Sequence, residues 1–430
     1  MTGLVKATSV AEVVDADLCI GCGLCAAVTG GRVGMALTGN GSGTGSGGGG
    51  MRPERTDAFT EDEERTILTA CPGVIAEARP DPGTDGIAGP DRAAQPERTD
   101  PIWGRHRSLF LGWAGDPGVR FRAATGGVLT ALGMHLLSSG TVDAILHVGA
   151  DPDRPMRSRS VVSRTPQDVL DNCGSRYGPT SPLVGLVEML DRGRRFAVIA
   201  KPCDLGAVHR YASIDPRVDE LCVARLALVC GGQSKLSKSR AVLEQYGLEE
   251  SMLSLFRYRG HGNPGPTRVE TAGGQAFEQT YQEMWADESG WDLETRCKLC
   301  PDALGEAADV VAADAWPGGG PTGEDDGFNA VVVRTAFGRK LVAEAIATGD
   351  LVRGGELTPA DLNDFQPHQV RKKEAVAARL AGVADAGAAP IRTVGLRIEE
   401  LGRRLSPEAA AAQREGTAMR IRARMDARGP

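Results

Sequence analysis

Asp17-Leu-Cys19-Ile-Gly-Cys22-Gly-Leu-Cys25 organises this chain, and Cys71-Pro72 completes the pattern much later in the sequence. Three cysteines separated by two residues each, with a distant fourth cysteine before a proline, follow the bacterial ferredoxin pattern, in which a tight loop wraps thiolates around an iron–sulfur cluster. A zinc knuckle usually shows two Cys-x2-Cys pairs, and reduced structural thiols are the other alternative. The spacing therefore predicts a [4Fe-4S] site at Cys19, Cys22, Cys25 and Cys71, where an electron enters or leaves.

The composition of the chain narrows the classes of function. It has 430 residues, of which 41% are hydrophobic, and a formal net charge of −7. This length allows about two or three domains, and the negative charge argues against nucleic acid as the main partner. No apolar run approaches the ~20 residues of a membrane span, and the first residues lack a signal peptide's apolar core. We expect a cytoplasmic protein whose ten cysteines serve metal ligation rather than disulfides.

The first predicted domain covers residues 1–78 and is ferredoxin-like. Within it, Gly39–Gly50 is a glycine-rich insertion too poor in side chains to pack, which suits the tip of a hairpin. Thr60 and Glu63 form a predicted capping box at the start of the helix that delivers Cys71 to the cluster. Residues 79–100, rich in Pro, Asp, Gly and Arg, are predicted to be a linker.

The following region alternates predicted helices and strands, which indicates an α/β fold. The predicted helices cover residues 128–137, 183–190 and 338–347, and the predicted strands cover residues 142–148, 195–200, 224–229 and 329–334. Thr125-Gly126-Gly127 precedes the first helix, where paired glycines let a ligand approach backbone N–H groups, although such a pair is often only a turn. Residues 356–430 are predicted to form a helical tail, whose last helix starts at Ser406-Pro407.

A second set of cysteines follows the predicted strands. Cys203 lies just after one strand and before a helix that we expect to begin at Asp204, and Cys230 follows the next strand. With the Cys297–Cys300 pair they supply four thiolates that converge only after folding, enough for a second cluster. Cys222 competes with Cys230 for this role, and Cys173 is a weaker contender. A structural zinc or a free redox dithiol would use the same pair.

Blocks of sequence spread along the chain, taken together and in order, carry a resemblance to a known family. The blocks are Asp17–Cys25, Ala124–Ala131, Gly174–Tyr177, Lys201–Cys203, Phe256–Gly260, Arg296–Leu304, Ala308-Asp309 and Asp314–Trp316. They resemble the beta subunit family of the coenzyme F420 (deazaflavin) reducing hydrogenases and dehydrogenases. That family includes the ferredoxin-dependent hydroxymethyl chlorophyll a reductase and a divinyl chlorophyllide vinyl reductase. The resemblance covers roughly residues 10–355.

The resemblance implies a mixed-sheet core that binds FAD, with a flavin-binding region at residues 101–190 and a second iron–sulfur site within residues 191–355. It places Thr125, Gly126 and Gly127 against FAD and makes Cys203, Cys297 and Cys300 ligands of the inner cluster. Further residues expected near the flavin or its substrate are Ser175, Arg176, Tyr177, Asp314 and Trp316, although a turn that caps a strand is the alternative for Asp314 and Trp316. Lys201 and Asp204 depart from the usual Gly-Thr-Pro-Cys-Gln pattern, and so place a cation and a carboxylate beside the cluster.

These parts together predict an electron relay between a ferredoxin-like carrier and an organic substrate, through two [4Fe-4S] clusters and FAD. The sequence does not determine the direction of electron flow. A reduction also needs a proton, and we name Lys201, Asp204 and His209 as candidate catalytic residues; His135 and His147 are further possible donors, although core or surface roles are common for histidine. An acidic loop at Glu324-Asp-Asp326 has metal-ligand chemistry but is more typical of a solvated loop.

The sequence is compatible with three hypotheses about function. The first is an oxidoreductase that exchanges electrons with a ferredoxin-like carrier and acts on its own small organic substrate. The second is an electron-entry subunit that exchanges hydride with a deazaflavin and works within a larger complex or homo-oligomer. The third is a non-enzymatic cysteine-rich zinc or iron–sulfur interaction module, which would contain no flavin.

Overall fold

A computed structural model of the chain describes residues 7–38, 49–79, 97–287, 291–321 and 326–426. Three features predicted from the sequence fall wholly or largely outside these ranges: the glycine-rich insertion, most of the 79–100 linker, and Glu324 and Asp325 of the acidic loop. In the ranges that are described, no helix combines the length and the apolar composition needed to cross a membrane.

Short helices and strands build the N-terminal module. They are α1 (Val10–Asp15), α2 (Leu24–Val28), β1 (Met35–Leu37), β2 (Met51–Pro53), α3 (Glu61–Ala70) and β3 (Ile75–Glu77). Strands β1 and β2 pair in antiparallel fashion on either side of the glycine-rich insertion. The predicted capping box is confirmed, because the Thr60 side chain accepts from the Glu63 backbone and the Glu63 side chain accepts from the Thr60 backbone. This box fixes the start of α3, and Cys71 is the C-cap at its other end.

The strands that follow form a hairpin, a large mixed sheet and a small antiparallel sheet. In chain order they are β4 (Arg98–Asp100), β5 (Gly104–His106), β6 (Ser108–Ala114), β7 (Ala144–Ala150), β8 (Ser158–Ser163), β9 (Phe196–Ala200), β10 (Cys222–Leu228), β11 (Leu253–Arg257), β12 (Thr267–Thr271), β13 (Ala276–Gln279), β14 (Val310–Asp314), β15 (Asn329–Val333) and β16 (Leu351–Glu356). The hairpin β4–β5 begins inside the predicted linker.

The large sheet has the order β16-β6-β15-β14-β10-β9-β7-β8. Strands β7, β9, β10 and β14 run parallel at its centre, and antiparallel strands flank them on both sides. The expected α/β fold with a mixed sheet is therefore confirmed. Because successive side chains of a strand point to opposite faces, Val311 and Val332 join one apolar cluster while Val310 and Val331 join the other. The sheet is thus buried on both faces, as parallel strands require.

Helices cover both faces of this sheet. They are α4 (Pro117–Arg122), α5 (Val128–Ser138), α6 (Pro166–Asp171), α7 (Leu186–Asp191), α8 (Pro202–Tyr211), α9 (Arg217–Leu221), α10 (Leu236–Gln245), α11 (Tyr281–Trp285), α12 (Thr295–Lys298) and α13 (Ala336–Ala347). The expected start of α8 at Asp204 was wrong, because the helix begins at Pro202 with Lys201 as its N-cap. Proline suits the first helical position, since its missing N–H would have no partner there. Cys203 therefore lies in the first turn of α8.

The C-terminal segment contributes to the scaffold of the N-terminal module. It contains α14 (Pro359–Phe365), α15 (Pro367–Asp385), β17 (Arg392–Val394), α16 (Ile398–Gly402) and α17 (Pro407–Asp426). The helix start at Pro407 is confirmed, but the predicted helical tail also contains β17, which pairs in parallel with β3. Val376 and Leu380 of α15 pack in one apolar cluster with Val13 and Leu18. The first cysteine loop is thus held from both ends of the chain.

Candidate functional site

Cys19, Cys22, Cys25 and Cys71 line one small cavity, which we call the outer cysteine cavity. The loop between α1 and α2 supplies Cys19 and Cys22, the first turn of α2 supplies Cys25, and the end of α3 supplies Cys71. Gly21 and Gly23 both have positive φ, and a Cβ at Gly21 would lie 2.5 Å from the Met51 carbonyl oxygen. Glycine is therefore required in this loop both for its conformation and for its close contact with β2.

Burial makes this cavity unfavourable for free thiolates. Burial raises the pKa of both Cys25 and Cys71 to about 12, and the nearby Cys19 adds to the effect. Such thiols stay neutral at pH 7 unless a metal stabilises the thiolate form. The sulfur donors and the apolar wall therefore fit an iron–sulfur cluster, which neutralises thiolates as it binds.

Cys203, Cys230, Cys297 and Cys300 line a second small cavity, which we call the inner cysteine cavity. Cys203 and Cys230 follow the carboxyl ends of the parallel strands β9 and β10, and α12 brings the other two cysteines to them. Burial raises the pKa of Cys297 to about 12 here as well, with Cys230 adding to it.

Cys222 competes with Cys230 on spacing alone, but the fold separates them. Cys222 begins β10 and Cys230 lies just beyond its end, so the strand places them about 25 Å apart at ~3.3 Å per residue. Cys222 is buried in the apolar core near Arg225. Cys173 lines a different, larger cavity, where its thiol faces the Arg122 carbonyl. The structure thus groups Cys230 with Cys203, Cys297 and Cys300.

The cysteine arrangement bears on the choice between a cluster and a single zinc ion. Within the described ranges, no three His, Cys, Asp or Glu side chains converge so as to hold a single metal ion. A cubane binds each thiolate through a different iron, so its four sulfur ligands stand further apart than the ligands of one zinc. In each set the four cysteines line one shared cavity, so each set could supply the four thiolates that a cubane takes.

A third and much larger cavity, of about 460 Å³, lies beside the inner cysteine cavity and is called the large cavity. Its volume falls in the usual range for cofactor sites. The predicted residues that line it are Thr125, Gly127, Ser175, Arg176, Tyr177, Lys201, Asp204, Asp314 and Trp316. Gly127 is the N-cap of α5 and has no side chain to cap the helix, so the positive end of α5 faces this cavity. These features fit an elongated ligand with a negatively charged portion, such as FAD.

Gly126 is not among the described residues that line the large cavity, although it was expected to lie against FAD. A Cβ at Gly126 would lie 2.8 Å from the Asn329 backbone nitrogen and 2.9 Å from the Gly112 carbonyl oxygen. Gly126 therefore lets the turn pack against β15 and β6, and it shapes the cavity only through its neighbours.

Arg259 organises the polar wall of the large cavity. Its guanidinium donates to Asp314 at 3.0 Å, to the Tyr177 hydroxyl at 3.1 Å and to the Ala124 carbonyl at 2.9 Å. The Thr125 hydroxyl donates to the other oxygen of Asp314. Although burial opposes it, Asp314 raises the pKa of Arg259 above its usual value. Arg259 thus holds three of the predicted cofactor residues in one network.

Arg176 lines the large cavity, but its guanidinium has another task. It donates to the carbonyl oxygens of Pro155, Arg157 and Phe256 and to the Ser158 hydroxyl. These bonds tie β8 to β11 and leave little capacity for a ligand. The structure therefore assigns the Arg176 guanidinium a structural task, and only its position supports the expected contact with the flavin.

Lys201 and Asp204 form an ion pair where the large cavity meets the inner cysteine cavity. Their Nζ and Oδ2 atoms lie 2.8 Å apart, and the Asp204 side chain is fully buried. Both residues line the large cavity, and Lys201 also lines the inner cysteine cavity. Burial lowers the pKa of Lys201, but Asp204 and Cys203 outweigh it, so the pKa lies above its usual value and Lys201 carries a positive charge.

The candidate histidines are distributed differently. His209 lies at the far end of α8 near Arg225 and is not among the described residues that line the large cavity, so the structure gives no support to it as a catalytic residue. His135 pairs with Asp350 at 2.7 Å, also away from the cavity. His147 does line the cavity, but burial lowers its pKa to about 4. It is therefore neutral at pH 7 and bonds Ser163.

The structure also brings in residues that were not named as site residues from the sequence. They are Gln233, Arg259, Tyr281, Trp285, Trp291, Arg296 and Lys372. Arg259 lies within the Phe256–Gly260 block, Arg296 directly precedes Cys297, and Gln233 follows Cys230-Gly-Gly. Their positions beside these motifs are the signal in the sequence that could have identified these three residues. Nothing local to Lys372 or Trp285 pointed to the site.

Two sequence models of one family match the chain, and both describe the coenzyme F420 hydrogenase/dehydrogenase beta subunit. The model of its N-terminal part matches residues 109–188, and the model of its C terminus matches residues 193–354. Together they cover more than half of the chain.

Individual relatives are more distant. The chain is 24% identical to the F420-dependent formate dehydrogenase 1 subunit beta of Methanococcus maripaludis, over 56% of this chain and 60% of that one. It is 22% identical to the coenzyme F420 hydrogenase subunit beta of Methanosarcina barkeri, over 58% of this chain and 82% of that one. The chain thus spans about three fifths of the length of the formate dehydrogenase subunits that it matches.

A solved structure shares the fold. A chain of the F420-reducing [NiFe] hydrogenase complex from Methanosarcina barkeri superimposes with a TM-score of 0.53 and 20% identity, covering 69% of this chain and 98% of that chain. The mixed α/β architecture is therefore similar in the two proteins.

Proposed function

Because the chain belongs to the coenzyme F420 hydrogenase/dehydrogenase beta subunit family, we propose that it is an iron–sulfur flavoprotein oxidoreductase. It passes electrons between a ferredoxin-like carrier and an organic substrate, through two [4Fe-4S] clusters and FAD. Cys19, Cys22, Cys25 and Cys71 would hold the outer cluster, Cys203, Cys230, Cys297 and Cys300 the inner cluster, and the large cavity FAD.

The observation that carries this proposal is that the three cavities adjoin one another in series. Ile20 lines both cysteine cavities, whereas Lys201, Cys230, Gly232 and Gln233 line both the inner cysteine cavity and the large cavity. A binding module would have no need of two adjoining cysteine sites and a large ligand cavity beside the second. A relay needs that order, because electrons must move between neighbouring centres.

Gln233 lines the inner cysteine cavity and the large cavity, and it also bonds to the first cysteine loop. Its backbone N–H donates to Cys297 Sγ at 3.3 Å, and its side chain donates to the Ile20 carbonyl, inside the first cysteine loop, at 3.3 Å. Its Oε1 atom has no hydrogen-bond partner among the described residues, and the residue is 2% exposed. An acceptor buried in this way fits a ligand in the large cavity that donates a hydrogen bond.

The clusters carry one electron at a time and FAD exchanges one or two, so together they would join a one-electron carrier to a two-electron substrate. The residues of this chain shape the large cavity and set the charge beside it. The polar wall around Arg259 fixes one side of the large cavity, and Trp285 and Trp316 exclude water from another. The Lys201 ammonium holds a positive charge where the large cavity meets the inner cysteines.

We expect protein purified without oxygen to contain about eight iron and eight acid-labile sulfide per chain, since each cubane holds about four of each. It should also contain about one FAD. Elemental analysis, sulfide assay and flavin fluorescence measure these contents, and bleaching by dithionite checks that the chromophores are redox-active. Zinc without sulfide or flavin would contradict the proposal and support the interaction module instead.

A second candidate is supported by the names of the relatives, which are beta subunits of formate dehydrogenases and a hydrogenase that use coenzyme F420. In that case the chain would exchange hydride with a deazaflavin and hand electrons to partner subunits. Purified protein should then oxidise a reduced deazaflavin and co-purify with other subunits. Substrate-dependent turnover with reduced ferredoxin, by the isolated chain, would favour the first candidate.

A further inference from the structure

The two cysteine cavities differ in the charge that surrounds them. Three cations line the inner cysteine cavity, namely the buried Arg296 and Lys372 and the partly buried Lys201, together with the carboxylate of Asp302. With Asp204, which pairs with Lys201, this makes three positive and two negative groups. The surroundings of the inner cysteines thus carry a net positive charge before any cluster binds.

Arg296 and Lys372 are the two inner cations without a carboxylate partner among the contacts described. Arg296 is 2% exposed, donates to the Pro72 carbonyl at 2.7 Å and interacts with Cys300. Lys372 is 6% exposed and donates to the Gly231 carbonyl at 2.8 Å. Both charges are little screened by water. Lys372 acts on Cys230 and Cys297, whereas Arg296 also acts on Cys71 of the outer set, so Lys372 is the cation that distinguishes the inner cysteines.

The outer cysteine cavity has a different lining. The described residues that line it besides the cysteines are apolar side chains and glycine. Arg52 acts on Cys19 within a trio, in which it pairs with Asp17 at 3.0 Å and with the fully buried Glu294 at 2.7 Å. Arg296 reaches the Cys71 side of this cavity through its bond to the Pro72 carbonyl. One cation between two carboxylates leaves this trio with a net negative charge.

Reduction of a cluster adds one negative charge, which nearby cations favour and nearby carboxylates oppose. We propose that Lys372 holds the inner cluster at a higher reduction potential than the outer cluster, so that the electron step from the outer to the inner cysteines is downhill and favours reduction of a substrate in the large cavity. In that direction the chain acts as a reductase of the substrate in that cavity. Two reduced one-electron iron–sulfur carriers each lose one electron, and the substrate gains both, together with protons taken from solvent.

This inference rests on the proposed function, and its test is a potentiometric titration followed by electron paramagnetic resonance. In the natural chain two cluster signals should appear at different potentials. Lys372→Gln keeps a donor for the Gly231 carbonyl but removes the charge. We expect it to lower the higher of the two potentials by at least about 59 mV, a tenfold change in a one-electron equilibrium, and to leave the lower one in place. Lys340→Gln is the matched control, because Lys340 is 70% exposed on α13.

Cys230→Ala assigns the signals without the lysine variant, because it removes the inner cluster. The signal that disappears should be the one with the higher potential. Loss of the lower-potential signal, or no movement of the higher one in Lys372→Gln, would overturn this inference while leaving the relay intact. Absence of iron and sulfide from the natural chain would instead overturn the proposed function itself.

Discussion

Cys230→Ala is expected to lose about half of the iron and acid-labile sulfide of the chain, whereas Cys222→Ala is expected to keep all of it. Cys230 lines the inner cysteine cavity with Cys203, Cys297 and Cys300, and one missing thiolate leaves an iron of the cubane without its ligand. Electron transfer from a ferredoxin-like carrier to the large cavity should then fall by at least about a hundredfold, because the relay loses a centre. Iron and sulfide analysis and carrier-dependent turnover measure the two effects.

The Cys222→Ala variant is a close control, since it removes the same atom from a buried position at the start of β10, the strand that Cys230 follows. Cys222 is 4% exposed, and its sulfur lies near the Ala224 carbonyl rather than near other cysteines. The change should cost about 1 kcal/mol of stability from lost packing and leave the cluster content unchanged. Loss of iron from Cys222→Ala, or full retention in Cys230→Ala, would contradict the assignment.

The features that could be predicted from the sequence are those that depend on residues close together along the chain. The capping box at Thr60 and Glu63, the start of α17 at Pro407 and the alternation of helices with buried strands all follow from spacing within a few residues, and all are confirmed. The first cysteine loop belongs to the same class, because its three cysteines lie within one short segment. The start of α8 was misplaced by two residues, because the preference of proline for the first turn was overlooked.

Features set by distant parts of the chain could not be predicted in the same way. The choice between Cys222 and Cys230 depends on which end of β10 meets α12, and spacing does not contain that information. Lys372 reaches the inner cysteine cavity from α15, a helix assigned from the sequence only to a tail. Lys201 is the N-cap of α8, and His209 lies about two turns further along the same helix, away from the large cavity. Each of these outcomes depends on tertiary packing.

Arg259→Met is expected to weaken FAD binding by at least about a hundredfold and to destabilise the chain. The Arg259 side chain is 4% exposed and is the ion-pair partner of Asp314, so its removal leaves a carboxylate uncompensated in the cavity wall, at a cost of about 3–5 kcal/mol. Arg259 also holds the Tyr177 hydroxyl and stacks between the rings of Tyr281 and Trp316 at 5.2 and 5.0 Å. The readouts are FAD retained after gel filtration and the melting temperature.

Two further variants separate a role in the cavity from a general loss of stability. Arg257→Met removes a half-buried arginine two residues earlier, which is not among the described residues that line the large cavity, and it should retain FAD. Arg259→Met combined with Asp314→Asn removes the unpaired charge, so it should recover part of the melting temperature. FAD binding should stay weak in this double variant, because Tyr177 and Thr125 still lack the group that orders them. Wild-type flavin content in Arg259→Met would show that the large cavity binds its ligand without this network, and would count against Arg259 as the residue that shapes the site.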